Sequence, residues 1–281
     1  MIPRPRFVCG VLVAFAALVL GTAGAPAQEG PTLFGGIGGQ DTVSDLLVLD
    51  PATGAVVDSA GSTGFGITGL AIHPLDGELY GVTTAPSGDP RFLVRIDRAT
   101  GAAAPVGALG GVVADITFTP EGTLYGWSES SDDLVTIDLV TGAMTVVGES
   151  GISSSGSGLA YDAANDRLLL APQSGVGALF IVDRATGVVT ELSTLNGPSV
   201  QVAALTFACD GTLYATLIDI SSPARPTDLA TIDPESGEVS VVGDTEEGLD
   251  AIVFDCPEPL PPGPPAPPAP EPAAIQPTFT G

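Results

Sequence analysis

The side chains in this 281-residue chain that could do chemistry are carboxylates. Lysine is absent, all eight basic residues being arginine, so Schiff-base catalysis is excluded. His73 is the only histidine; its place after a repeated apolar segment predicts a neutral turn residue and leaves no base for a His-dependent triad. No glycine-rich phosphate loop precedes a helical pattern. Asp115 and Asp250 each come just before an apolar segment that recurs along the chain, and Glu129, Asp132 and Asp133 crowd a Ser/Asp-rich loop. Two carboxyl groups flanking a bond can serve as acid and base, or acid and nucleophile, in glycoside cleavage. Asp115, Asp250 and Glu129 are the conceivable trio for a glycosidase or lyase. The same oxygens would suit Ca²⁺, a hard cation, with Asp115 and Asp250 as its candidate ligands. No EF-hand spacing is present, and acids that cap loops or face water are the plainer reading.

These residues are positioned by a repeat. Ile116-Thr-Phe118 alternates as a strand does, and Pro120-Glu-Gly122 is turn chemistry. Leu124-Tyr125 opens a second strand, Leu134–Ile137 reads as a third, and Ala143–Val147 as a fourth. Between the last two, Asp138-Leu-Val-Thr-Gly142 has an acid to accept backbone N–H groups and a glycine for the left-handed position. Four antiparallel strands in about 40–50 residues match one propeller blade. The turn recurs as Asp50–Gly54, Asp97–Gly101, Asp183–Gly187 and Asp233–Gly237. The innermost strand recurs as Leu70-Ala-Ile72, Leu159-Ala-Tyr161, Leu205-Thr-Phe207 and Ile252-Val-Phe254.

Each series has five members, but they are offset: a turn comes first and an inner strand last. Both loose ends are resolved if Ile252–Phe254 pairs with the N-terminal strands. The expected fold is therefore all-β, a five-bladed β-propeller closed by its C-terminal inner strand. Gly77-Glu-Leu-Tyr80, Gly122-Thr-Leu-Tyr125 and Gly211-Thr-Leu-Tyr214, joined to the Ile-Asp-x-x-Thr-Gly pieces, resemble the repeats of bacterial secreted propellers of uncharacterised function, with blades similar to the NHL and YVTN types. The resemblance covers about Thr32 to Cys256 and implies the fold; such scaffolds have served unrelated activities.

A propeller gathers its inter-blade loops and second-to-third-strand loops on one face. The other face carries first-to-second and third-to-fourth turns, which here are stereotyped and read as structural. Function is expected where the copies differ. The differing loops contribute Arg91, Trp127, Asp132, Asp133 and Arg225 as candidate ligand contacts, besides the acids at the channel mouth. An exposed Trp127 would stack on a sugar or a protein partner; packing beneath its loop is the competing reading.

The ends set the compartment. Arg4 and Arg6, an apolar run from Phe7 to Leu20 and Ala25-Pro-Ala27 read as a signal peptide over 1–27, leaving 28–256 as the propeller and 257–281 as a Pro-rich disordered tail. The formal net charge is −25, and losing the two leader arginines makes it two units more negative. Such a surface disfavours nucleic acid and anionic membranes. Cys209 and Cys256 fall at the same register, two residues after Phe207 and Phe254, in neighbouring copies. In an oxidising compartment a disulfide would lock the closing strand, if the Cα atoms come within about 7 Å near the axis; separate buried thiols are the alternative. Four Tyr, ten Phe and one Trp offer little surface for a sugar pocket. The preferred reading is a secreted, monomeric, non-catalytic propeller that binds an extracellular protein or glycan through its irregular face, without membrane insertion and without an obligatory cofactor. The alternative is a carboxylate-dependent, Ca²⁺-assisted glycosidase or lyase on the same scaffold.

Overall fold

The computed structural model describes residues 30–39, 42–85, 90–153, 157–173, 177–197, 201–219, 221–222 and 224–257. The expected signal peptide, the residues beyond Pro257 and the tips of several irregular loops lie outside the described residues.

Among the described residues, twenty strands form five antiparallel sheets of four. Blade 1 contains β1 (Thr32–Ile37), β2 (Asp45–Leu49) and β3 (Val56–Ser62). Blade 2 is β4 (Ile67–Ile72), β5 (Leu79–Thr83), β6 (Phe92–Ile96) and β7 (Ala103–Ala108). Blade 3 is β8 (Val113–Phe118), β9 (Leu124–Ser128), β10 (Asp133–Ile137) and β11 (Met144–Gly148). Blade 4 is β12 (Ser157–Asp162), β13 (Arg167–Pro172), β14 (Ala178–Val182) and β15 (Val189–Thr194). Blade 5 is β16 (Gln201–Phe207), β17 (Leu213–Ile218), β18 (Thr227–Ile232) and β19 (Val239–Asp244). The last strand, β20 (Leu249–Asp255), completes blade 1 as its innermost strand. It runs antiparallel to β1, with Leu33 opposite Phe254, Phe34 opposite Val253 and Gly35 opposite Ile252. The offset between the two sequence series is thus the closure of the ring.

No single core fills the molecule. Five apolar clusters each draw on two adjacent blades, because every sheet buries both faces against its neighbours. The outermost strands have one side in water, which gives β3, β7, β11 and β19 their largely exposed patterns.

The Asp-x-x-Thr/Ser-Gly turn has two functions. Asp97 accepts the Ala99 and Thr100 amides at 2.8 and 3.1 Å, and Asp138 accepts those of Val140 and Thr141 at 3.0 and 2.7 Å. These amides hold the Asp138 carboxyl below its usual range. The glycine that ends the turn also abuts the outer strand of the preceding blade. A Cβ on Gly101, at φ +74, would lie 2.1 Å from the Gly61 carbonyl oxygen, and one on Gly142 would lie 2.5 Å from that of Gly107. The turn therefore interlocks blades as well as closing a hairpin.

Cys209 and Cys256 form a disulfide with Cα atoms 5.6 Å apart, joining the end of β16 to the end of β20. Both cysteines are exposed, so the buried-thiol alternative fails on both counts.

Candidate functional site

The inner strands β20, β4, β8, β12 and β16 surround the axis. In order along the ring from β4, one equivalent position carries Gly69, Asp115, Gly158, Ala204 and Ala251. Four small residues leave room for one carboxyl. Asp115 is fully buried and lies within β8, not at the mouth before it as the spacing suggested. Its Oδ1 accepts its neighbour Ile116's amide at 2.8 Å. Its Oδ2 accepts the Leu159 amide at 2.9 Å and the Leu205 amide at 3.3 Å, from the next two blades. Burial pushes its pKa well above the usual carboxylate range, against the pull of the three amides, and nearby Asp250 adds to the rise. With no exposed surface and its oxygens committed to backbone donors, Asp115 fastens three blades and has no route to a substrate.

Above this waist, the irregular face carries a charged mouth. Asp250 sits in β20 with its side chain 16% exposed, 3.7 Å from the Arg225 guanidinium. A Cβ on Gly38 would fall 1.9 Å from the Asp250 carboxylate oxygen, so only glycine there leaves space for the acid. Burial raises the Asp250 pKa to about 6; Arg225 opposes the rise and Glu129 adds to it. Glu129 is exposed at its rim, its carboxyl raised by partial burial, with Arg91 opposing and Asp132 assisting. Arg91 and Asp132 are half-buried there. The mouth thus brings together Asp250, Arg225, Glu129, Arg91 and Asp132.

Two candidates turn inward. Trp127 is fully buried in β9, packed between blades 3 and 4 with Leu159, Leu168 and Leu170, so it offers no platform for a ligand. Asp133 is buried at the start of β10 and accepts the Ser150 amide at 3.0 Å, tying the second-to-third-strand loop to the inter-blade loop. Their polar sequence neighbourhood misplaced both: the strands extend further into the Ser/Asp run than its composition suggests.

The mouth fits a resident cation poorly. Asp115 is spent on amides, and Arg225 places positive charge beside Asp250. Among the described residues no group of three or more His, Cys, Asp or Glu side chains is placed to hold a metal ion.

The opposite end of the axis holds something the repeat pattern did not disclose. A cavity of about 290 Å³ opens on the face of stereotyped turns. Each inner strand contributes to its wall: Ile72, Phe118, Tyr161, Phe207 and Phe254 line it alongside Thr117, Thr119 and Thr206. The third residue of each inner-strand repeat also packs in the cores between blades. His73 lies nearby, its Nδ1 2.7 Å from Asp76 Oδ1 and its ring edge-on to Phe118.

These features define a five-bladed β-propeller with a carboxyl at its waist, a charged mouth on one face and a cavity of mixed apolar and polar lining on the other. No protein-family model and no curated protein matches the chain. Among solved structures, a protein of unknown function from Bacteroides thetaiotaomicron is similar at TM-score 0.53 and 14% identity, over 80% of this chain and 71% of its own. One of unknown function from Bacteroides caccae is similar at TM-score 0.50 and 13% identity, over 80% of this chain and 99% of its own. A gluconolactonase from Xanthomonas campestris is similar at TM-score 0.50 and 12% identity, over 78% of each chain. At these identities the likeness is one of fold. No helix among the described residues is long and apolar enough to cross a membrane.

Proposed function

We propose that this chain is an exported, monomeric, non-catalytic propeller that binds an extracellular protein or glycan at its charged mouth. The observation that carries the reading is the position of Asp115: it closes the waist with its oxygens engaged, leaving Asp250 and Arg225 above it as a partly exposed, loosely paired floor. An ion pair held at 3.7 Å and not fully covered can exchange its partner for a ligand's charge or hydroxyl. The loops around it differ from blade to blade, as a specific surface requires, whereas the turn face repeats. The disulfide supports an oxidising compartment. An arrayed set of glycans and extracellular proteins, probed with wild type and Arg225→Ala, tests this. Binding lost at least tenfold in the variant at unchanged unfolding midpoint supports the site; equal binding removes it.

One observation favours a second reading. A carboxyl with a pKa of about 6 beside an arginine suits general acid–base work. On that reading Asp250, with Glu129 and without Asp115, would serve a hydrolase or lyase, and the fold is one that a gluconolactonase also uses. Turnover of a glycoside and lactone panel that vanishes in Asp250→Asn would select it over the binding reading.

A further inference from the structure

Arg225 and Asp250 are held side by side at the mouth without closing into a tight pair. Arg225 has φ +49, in the left-handed region that a non-glycine residue rarely occupies. Its amide donates to the Ser222 carbonyl at 3.0 Å, and its own carbonyl accepts the Gly248 amide and the Thr227 hydroxyl, each at 3.0 Å. Gly248 stands just before β20, so the loop of blade 5 that carries Arg225 is bonded to the strand that carries Asp250. Asp250 also fills the space that a side chain at Gly38 would need. The backbones thus place both groups, yet the Arg225 Nη2 and Asp250 Oδ2 atoms stay 3.7 Å apart. Elsewhere Arg167 reaches Asp162 at 2.9 Å and Glu235 at 2.6 Å. The side chains of Arg225 and Asp250 are 30% and 16% exposed, so a small group from solvent can reach both.

A ligand with a single charge fits this floor poorly. An anion taken by Arg225 leaves a mostly buried carboxylate without its partner, and a cation taken by Asp250 meets the guanidinium beside it. Neutral hydroxyls could reach both groups, but they bring no charge to replace the partner that each gives up. An ammonium and a carboxylate do, with a charge-assisted bond at each end. We propose that Asp250 and Arg225 form a binding site for a small zwitterion, a free α-amino acid, with its ammonium on Asp250 and its carboxylate on Arg225. The inference rests on the mouth being the binding surface and adds a small-molecule site at its floor. A ligand without net charge also approaches this strongly acidic molecule without long-range repulsion.

Calorimetric titration of the full chain with the common free amino acids, one at a time, tests this. The expected result is saturable binding of at least one of them. Its amide, which lacks the carboxylate, its deaminated acid, which lacks the ammonium, and glycerol should each bind roughly tenfold or more weakly. Arg225→Ala and Asp250→Asn, each checked for a cooperative unfolding transition, should both lose the amino acid by a similar factor. A single-charge analogue or glycerol binding as tightly as the amino acid would overturn the proposal, as would binding that either variant leaves unchanged. So would the absence of binding by any amino acid. If the glycan and protein array still registers Arg225-dependent binding, only the zwitterion site falls, whereas failure of both removes the mouth as a binding surface.

Discussion

The Asp115 carboxylate and the Leu205 amide, 90 residues apart in the chain, meet at 3.3 Å beside the propeller axis. The same oxygen takes the Leu159 amide, so one side chain bridges blades 3, 4 and 5 where no strand pairing links them. Asp115→Ala leaves two buried donors from other blades unpaired, at about 1–3 kcal/mol each. Asp115→Asn retains an oxygen for both and loses only the bond to its neighbour Ile116. Denaturant midpoints at constant m-value should therefore fall in the order wild type, Asn, Ala. An Ala variant as stable as wild type would mean that these bonds contribute nothing.

Asp250 makes stability depend on pH in a stated direction. Its carboxyl titrates near 4 when unfolded and at about 6 when folded, so its contribution is complete below pH 4 and is lost as pH rises through 6. Other acids pull the opposite way; Asp183 and Asp233, held low by turn amides, stabilise the fold as pH rises. The clean measure is the difference between wild type and Asp250→Asn. Relative to the variant, wild type should lose up to roughly 3 kcal/mol between pH 4 and pH 7. A difference that stays flat would show that Arg225 cancels the burial of the acid.

Two glycines separate turn strain from blade interlock. Gly101 and Gly211 both have positive φ, +74 and +87. A Cβ on Gly101 would collide with the Gly61 backbone, whereas one on Gly211 meets nothing within 4 Å. Alanine at 211 should cost about 1–2 kcal/mol for its backbone conformation alone. Alanine at 101 should cost at least ~2 kcal/mol more, because the blades must part. Equal losses from the two variants would refute the interlock.

The ring was legible because its signals are local and repeated: an acid, a Thr or Ser and a glycine at fixed spacing define each hairpin, and the same register predicted the Cys209–Cys256 bridge. The site was legible only in outline. Asp250, Glu129, Arg91 and Arg225 do converge, but Asp115, one residue deeper along its strand, faces the backbones of other blades. Such a contact depends on Gly69 being small, since a Cβ there would lie 3.0 Å from the Asp115 carboxylate, a relation between distant positions that no single stretch displays. Trp127 misled for the reverse reason. Its polar neighbours belong to the loop, while strand alternation points the indole itself into the space between blades 3 and 4.

Calcium should not stabilise this protein. The mouth offers Asp250 beside a guanidinium, so a cation would have to displace Arg225 before gaining that ligand. Thermal unfolding in millimolar Ca²⁺ and in chelator should give the same midpoint. A rise with calcium would place a native-state site on the acids, by linkage.

The disulfide acts on the one blade assembled from both ends of the propeller. Blades 2 to 5 are each a continuous run of strands, but blade 1 exists only while β20 stays paired to β1. The bridge closes a span of 47 residues, which corresponds to roughly 4 kcal/mol of lost freedom in the unfolded chain. Cys256→Ser should lower stability by about that much, and reductant should lower wild type to the same midpoint while leaving the variant unmoved. Because β20 is the strand released, limited proteolysis of the variant should cut first near Leu249–Asp255. A first cut within blade 3 would place the weak point of the ring elsewhere than at its closure.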